Sequence, residues 1–419
     1  MTGNLGTFDV HAGTKIAEIL AAFESSDKDL LLVDECSVVT QPHLELLTDY
    51  PRTVTTALVA KTNGGLTRVT QGRITGASSD FHEVGYGNHT FLGIIRLSQS
   101  QRVEILEVLR KVKDTKHSGN AIDLVLVALV RAALVIDPAE VAGAPFIRSA
   151  DSAARETTKR EIALLNDARL RLKLANRAND GFFSVFVLRK FSKLFTWAAV
   201  RLKMTPNQVT LISFGVGLYS AYQFSLGTFW SIFAGAVLLQ LSIIIDCVDG
   251  ELARYTRQFS QLGAWLDAIT DRIKEYLVFF ALAYGAAQDG RDLWIPAMGM
   301  MLFQTFRHLS DYNFARVVKI RAESKFATPV DFMAEFDGII PTEREPKGRL
   351  RYWLGKIIQF PIGERWLAIS ASAVIGGAAF TFTAMPILAF ISAVVVYRGR
   401  IQRTREMPPE SIKSPFIVV

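Results

Sequence analysis

Four aspartates stand close together in the stretch IIIDCVDGELARYTRQFSQLGAWLDAITDRIKEY: Asp246, Asp249, Asp267 and Asp271. The first two are three residues apart and the last two are four apart, so on helices each pair shares a face. The polar run Tyr255–Leu262 between them has the composition to turn the chain back. Two helices would then present two carboxylates each to one cleft. The flanking sequence is apolar, and an unpaired charge at membrane depth costs several kcal/mol, so protons or cations must balance the four acids. A cluster of hard oxygen donors suits Mg2+, Mn2+ or Ca2+ rather than zinc, and no Cys/His set competes with it. Gly250 and Gly263 leave room for a bulky ligand to approach backbone, and Arg254, one helical turn beyond Gly250, is placed to meet a phosphate. Ordinary helix-capping or ion-paired aspartates would account for one or two of the acids, not for two pairs with glycines beside them.

The elements that hold these residues follow from the distribution of apolar sequence. Half of the 419 residues are hydrophobic, yet the chain is polar and mixed up to about residue 180, and long apolar runs begin only after Thr205. A cytoplasmic module followed by a membrane domain is expected. The opening MTGNLGTFDV has neither the basic start nor the apolar stretch of a signal peptide. Cys36 and Cys247 lie too far apart in sequence to suggest a disulfide, which suits a reducing compartment. The net charge of +7 reads as affinity for anionic headgroups and phosphate substrates rather than nucleic acid, because the basic residues flank apolar helices.

Residues 1–147 read as an α/β domain. KIAEILAAFE, RVEILEVLRKV and AIDLVLVALVRAAL have helical periodicity, whereas LLLVD, TVTTALVA, GLTRVT, GRIT and TFLGIIRLS read as strands. Residues 148–185 form a charged helical linker, and 186–203 an amphipathic helix of the membrane interface, with Arg189, Lys190, Lys193 and Arg201 among aromatics. A six-helix transmembrane domain is expected over 204–400, followed by a cytoplasmic tail at 401–419. Its spans fall near 208–226, 229–248, 264–287, 293–312, 364–381 and 383–398, each close to the ~20 residues that cross a bilayer. The loops near Gly227 and Phe382 are short and uncharged, whereas 313–357 and the residues after Tyr397 are rich in Arg and Lys. The excess of positive charge on one side places both ends, and the aspartates, at the cytoplasmic face of the cell membrane.

The spacing D-x2-D-G-x2-A-R-x8-G-x3-D-x3-D, running from Asp246 through Gly250, Ala253, Arg254 and Gly263 to Asp271, matches the signature of the CDP-alcohol phosphotransferase family without departure. The resemblance extends over about 186–400 and includes TPNQVT, where Thr205 can cap and Pro206 start the first span. It implies transfer of a phosphoalcohol group from a CDP-linked donor (CDP-diacylglycerol or a CDP-polyol) to a small alcohol, releasing CMP. It also implies one or two Mg2+ or Mn2+ ions on Asp246, Asp249 and Asp267. Asp271 would complete that site and accept the proton of the attacking hydroxyl. Nucleotide contacts would fall at Asn207, Gly250, Ala253, Arg254 and Gly263, and a homodimer is implied. The physical logic agrees, since a metal bridging the pyrophosphate neutralises charge on the leaving CMP and a neighbouring carboxylate can serve as base. Spacing alone does not separate base from ligand among the four.

Arg307, His308, Arg316, Lys319 and Arg321 either bind a phosphorylated acceptor, such as inositol phosphate or glycerol phosphate, or only fix topology. Glu364 and Arg365 in GERWLAIS are further acceptor candidates, and Trp366 reads as an interfacial anchor. The whole layout resembles archaeal-type fusions of a cytidylyltransferase to a di-inositol-phosphate-phosphate synthase. The front module departs from the active pattern: it lacks the G-x-G-x-R loop with its following Lys, and NLGTFDVHAGTK is a poor substitute. It reads as a degenerate nucleotidyltransferase-like domain in which Asp34 is either a metal residue or an ordinary strand-end acid. Two other functions compete with this one. A membrane prenyltransferase also uses acidic motifs with Mg2+, but spaces them differently. A divalent-cation transporter would move ions without releasing CMP, and leaves Arg254 unexplained.

Overall fold

The computed structural model describes residues 5–48, 53–62, 65–70, 72–78, 87–115, 119–175, 181–323 and 349–406. The chain divides between Leu174 and Ala175 into two compact units.

The first unit runs β1 (Leu5–Val10), α1 (Ile16–Ser25), β2 (Asp29–Asp34), β3 (Ser37–Val38), α2 (Gln41–Glu45), β4 (Thr55–Lys61), β5 (Thr67–Thr70), β6 (Arg73–Ala77) and β7 (His89–Leu97). It continues through α3 (Arg102–Val112), α4 (Ala121–Arg131), β8 (Ile136–Glu140), β9 (Ile147–Arg148), α5 (Ser152–Ala163) and α6 (Asp167–Leu174). The main sheet is ordered β1-β2-β7-β4-β8, with β5 bridging β6 and β7. It is mixed: β2 is parallel to β1 but antiparallel to β7, and β4 is antiparallel to β7 but parallel to β8. Side chains alternate across a strand, so Leu30, Leu32, Ala57 and Val59 enter one core with Ile19 and Phe23 of α1, Ile105 of α3 and Val125 of α4. Leu58, Ala60, Leu92, Ile94 and Ala139 enter a second core on the opposite face with Leu47. Burial on both faces is why TTALVAK carries no polar alternation. β8 escapes the sequence reading because Pro138 stands in its middle; it lies at the end of the sheet order, where a missing N–H is tolerated.

Asp34 ends β2 and is buried. Its carboxylate accepts a hydrogen bond from Arg148 Nε (2.7 Å) and another from the Cys36 backbone N–H. The same guanidinium makes a bidentate pair with Asp123 at 2.7 and 2.9 Å. Gly93 makes room for this group, since a Cβ there would lie 2.6 Å from Arg148 Nε and 2.8 Å from Asp34 Cβ. Here the carboxylate serves as an ion-pair partner. Arg148→Leu leaves two acids without their shared cation, and about 3 kcal/mol of local stability is expected to go. Hydrogen exchange at the β2 and β7 amides of the full chain reads this, and unchanged protection would reject it.

The second unit is helical. A π-helical turn (Ser184–Leu188) leads into α7 (Arg189–Arg201), then α8 (Pro206–Ser225), α9 (Phe229–Thr256), α10 (Gln261–Gln288), α11 (Trp294–Glu323), α12 (Arg349–Gln359) and α13 (Ile362–Glu406). The residues TPNQ cap α8 as their types predict: Thr205 Oγ1 accepts from the Gln208 N–H while the Gln208 side chain accepts from the Thr205 N–H. α9 extends to Thr256, beyond the expected span end at 248. α13 is broken at Gly376–Gly377, not near Phe382, which is helical and buried. Gly377 sits at φ 68°, a backbone that only glycine adopts cheaply. α13 also runs on past residue 401 to Glu406, so the expected tail starts as helix; 407–419 lie outside the described residues. Arg400, assigned from sequence to topology alone, is paired at 2.5 Å with Asp311 on α11.

Among the described residues two helices are long and apolar enough to cross a membrane, Phe229–Thr256 and the Ile362–Gln402 part of α13. The unit exposes Leu211, Leu218, Phe233, Phe280, Leu302, Phe306, Ile387 and Phe390, and buries Ser213, Ser220, Ser242, Lys274, Glu275 and Gln304. Large apolar side chains thus cover the outside of the unit, while these polar groups are buried beside an apolar interior that includes Phe224, Leu239, Phe279 and Leu282. In α7 the arrangement is plain. Ser192 and Thr196 point inward and donate to the fully buried Glu251 at 2.7 and 2.6 Å, with Arg189 adding an ion pair at 2.7 Å. Phe191, Leu194, Phe195 and Trp197 face outward.

Candidate active site

α9 carries Asp246 and Asp249 on one face, and ends where Arg257 takes a left-handed conformation (φ 58°). The chain reverses within a few residues, and Ser260 starts α10 by accepting from the Gly263 N–H at 2.8 Å. α10 then runs back packed against α8, bringing Asp267 and Asp271 to the same site. One carboxylate oxygen from each of Asp246, Asp267 and Asp271 lies within 4.8 Å of the other two, close enough for one cation to take all three as ligands. Asp249 is held separately, buried, with Oδ2 accepting from Thr210 Oγ1 of α8 at 2.5 Å.

A lysine shares this site. Lys274 Nζ lies 2.8 Å from Asp246 Oδ1, 2.9 Å from Asp271 Oδ1 and 3.0 Å from Ser213 Oγ, and its side chain is fully buried. The stem crosses α8 at Gly217, where a Cβ would come within 2.5 Å of Lys274 Cδ. The Trp366 ring lies 5.1 Å from the ammonium. Trp366 is itself fully buried, which overturns its expected place at the interface.

Asn207 and Gly263 adjoin, since a Cβ on Gly263 would fall 2.7 Å from Asn207 Oδ1. Gly250 lies under the Arg254 guanidinium, where a Cβ would meet Nη1 at 3.2 Å. Arg254 Nε donates to the Ala175 carbonyl. Ala253 is half-buried, and its carbonyl accepts from the Arg257 and Gln258 N–H groups at the end of α9.

A second polar cluster surrounds Glu275, one turn beyond Asp271. The fully buried Glu275 accepts from Arg365 Nε (2.9 Å) and Nη2 (3.1 Å) and from Gln304 Nε2 (2.7 Å). Arg307 Nη2 donates to the Gln359 and Phe360 carbonyls, while its Nη1 is buried without a hydrogen-bond partner among the described residues. Among the described residues both ring nitrogens of His308 and Nε of Arg272 are likewise buried without a hydrogen-bond partner, His308 Nε2 lying 3.9 Å from Glu275 Oε2, and the charges of Arg272, Arg365 and Arg307 all reach His308. Arg316 and Lys319 lie on α11, but their side chains are outside the described residues. Glu364 accepts from the Phe183 N–H at 3.0 Å and so ties α13 to the start of the π-helical turn.

Residues 203–340 match the family described as CDP-alcohol phosphatidyltransferase. The chain carries a CDP-alcohol phosphatidyltransferase domain. It is 39% identical over 126 residues to the bifunctional IPC transferase and DIPP synthase of Archaeoglobus fulgidus, a match covering 28% of this chain and 25% of that one. It is 38% identical over 84 residues to the archaetidylinositol phosphate synthase of Pyrococcus horikoshii, covering 20% of this chain and 43% of that one. The chain thus spans a quarter of the first relative's length and less than half of the second's. A solved phosphatidylinositol phosphate synthase of Mycobacterium tuberculosis with CDP-DAG bound aligns with 52% of this chain and 94% of its own, at 21% identity and a TM-score of 0.34. So loose a superposition carries nothing further.

Within the phosphatidyltransferase domain, sequence reasoning passed over Lys274, Ser213, Thr210, Arg272 and Glu275. Lys274 and Glu275 had a legible signal: a cation three residues and an acid four residues after Asp271, on a helix otherwise apolar, must face the same cleft or find partners elsewhere. Ser213 and Thr210 gave none, because small hydroxyl residues are ordinary within helices.

Proposed function

We propose that the chain is a multi-pass membrane phosphotransferase that moves a phosphoalcohol group from a CDP-linked donor to the hydroxyl of a small phosphorylated alcohol. The observation that carries this is the convergence of Asp246, Asp267 and Asp271 on two helices that also bear Gly250 and Arg254. Three carboxylate oxygens of this kind fit Mg2+ or Mn2+, held by Asp246, Asp267 and Asp271 with Asp249 beside them. When bound, such an ion supplies Lewis-acid stabilisation of the pyrophosphate. Asn207, Gly250, Ala253, Arg254 and Gly263 flank the aspartates along the starts of α8 and α10 and the last turns of α9. There they are suited to the CDP moiety: the glycines admit it and Arg254 pairs with phosphate. The acceptor hydroxyl oxygen forms a bond to the donor phosphorus that bears the alcohol, the bridging P–O bond breaks, and CMP leaves with the bridging oxygen. Asp271 takes the hydroxyl proton.

The acceptor's own phosphate falls to the cluster around Glu275. Arg307, His308 and Arg272 hold buried ring or guanidinium nitrogens without a hydrogen-bond partner among the described residues, and an anion of tetrahedral oxygens would satisfy several at once. The names of the relatives, IPC transferase and DIPP synthase among them, favour an inositol phosphate over glycerol phosphate. The outward apolar faces support six spans in lipid, with α7 at the interface and the aspartates cytoplasmic. The homodimer is part of the same reading, on the resemblance alone.

The test is CMP release by the purified chain in lipid. CDP-diacylglycerol or CDP-inositol is offered with inositol phosphate, glycerol phosphate or free inositol. CMP is expected with one donor and a phosphorylated acceptor, lost with EDTA and restored by Mg2+ or Mn2+. Absence of CMP from every pair would end the reading. Ion uptake without CMP would favour transport, and pyrophosphate release from a prenyl diphosphate the prenyltransferase.

A further inference from the structure

We propose that Glu251 is a positioning residue of the phosphotransfer: it fastens α7 to the last turns of α9, and through that brace it sets the pose in which Gly250 and Arg254 meet the nucleotide. This rests on the CDP-dependent reading above and deepens it. Glu251 follows Gly250 directly, inside the run of site residues, yet it does not face the aspartates. At about 100° per residue it stands ~140° from Asp246 and ~200° from Asp249 around the helix, and only ~60° from Arg254. Its carboxylate is fully buried and takes three donors from α7: Arg189 Nη1 (2.7 Å) and Ser192 Oγ (2.7 Å) on Oε1, and Thr196 Oγ1 (2.6 Å) on Oε2. Arg189, Ser192 and Thr196 recur at i, i+3 and i+7, which is one face of a helix. The other side of α7 carries Phe191, Leu194 and Phe195 with Lys190 and Lys193, all exposed. A buried acid is a poor source of stability, and a packed apolar residue would join the two helices about as well. What three directed bonds add is register, since a hydrogen bond holds a length and an angle that an apolar contact does not. The brace continues to the site. α7 ends in a short turn, with the Met204 N–H donating to the Ala199 carbonyl at 3.0 Å, and α8 starts at Pro206. Ala199 of α7, Val209 of α8, and Val248 and Leu252 of α9 share one buried apolar cluster. In the first turns of α8, Asn207 adjoins Gly263 and Thr210 donates to Asp249. A shift of α7 therefore reaches the nucleotide residues from both α8 and α9.

The test separates binding from turnover. The full chain in lipid vesicles with Mn2+ is titrated with CMP by calorimetry. CMP release is followed against the concentration of CDP-diacylglycerol or CDP-inositol, whichever the wild type turns over. Glu251→Gln keeps the shape and removes the charge. It is expected to weaken CMP and raise the donor KM by about tenfold, with kcat within about twofold of the wild type, because the aspartates keep their own contacts. Hydrogen exchange at the α7 amides is expected to quicken in the same variant. Ser192→Ala together with Thr196→Val, which leaves the Arg189 ion pair in place, is expected to weaken CMP by a smaller factor. Added to Glu251→Gln, that pair is expected to cost less affinity than it does in the wild type. Fully additive losses would show that Glu251 does not act through α7, and would overturn the proposal. So would a Glu251→Gln chain with unchanged KM and CMP affinity, or one in which kcat falls instead. If Glu251→Gln fails to fold, the two α7 substitutions decide alone, and wild-type CMP affinity in them overturns the proposal. A wild type that binds no CMP would instead remove the nucleotide site itself, and the proposed function with it.

Discussion

Asp271→Asn is expected to reduce CMP release by at least ~10³-fold, and excess Mn2+ is not expected to restore it. The substitution is nearly isosteric, so the helices should keep their packing, but an amide cannot accept the proton of an attacking hydroxyl. It also weakens one of the three oxygens that converge within 4.8 Å, and one of the two carboxylates on Lys274. Asp249→Asn makes the contrast. Asp249 stands outside that trio and its Oδ2 is already taken by Thr210 Oγ1. Its loss should therefore act on ion and nucleotide affinity, and raised Mn2+ should recover part of the rate. The readout is CMP release across a Mn2+ series for both variants, with gel filtration to show that both remain folded. Full turnover in the two variants would defeat the assignment of the aspartates. Rescue of Asp271→Asn by metal would take the base away from Asp271 and leave it a ligand only.

How much of this was legible depends on whether the deciding interaction is local. The i,i+3 and i,i+4 pairs at 246/249 and 267/271 were readable because helix geometry turns spacing directly into a shared face. The α8 cap was readable for the same reason. The strands of the first unit were readable where β-branched runs sit between turn residues, and β8 was not, because Pro138 argues against any strand until the sheet edge is known. The helix break at Gly376–Gly377 shows a finer limit. Two glycines in an apolar run read as membrane-helix composition, and only the positive φ at Gly377 marks the turn. Distant partners were invisible. Asp34 and Arg148 are 114 residues apart, and Glu275 and Arg365 are 90 apart. Trp366 carried an interfacial signature by type, yet the fold placed it under Lys274. The same hidden pairing makes the site more crowded, and more cationic, than four aspartates alone suggest.

Glu275→Gln is expected to lower the thermal midpoint of the helical unit by on the order of 10 °C, through a loss of about 3–5 kcal/mol. The carboxylate is fully buried and takes two hydrogen bonds from Arg365 and one from Gln304. Arg272, Arg307 and His308 stand around it with donors that have no partner in the described residues. Replacing the acid by its amide keeps the shape but removes the one negative charge that Arg365 is bonded to, so a buried guanidinium is left uncompensated. An anionic acceptor offers a specific rescue. If the acceptor's phosphate binds among these cations, saturating inositol phosphate should recover more of the midpoint in Glu275→Gln than in the wild type, because it replaces the missing charge. Free inositol should not. Thermal unfolding followed by tryptophan fluorescence, with and without each ligand, measures both. A variant as stable as the wild type would show that the cluster is solvated rather than buried. A destabilised variant that inositol phosphate, glycerol phosphate and inorganic phosphate all fail to rescue would move the acceptor site elsewhere.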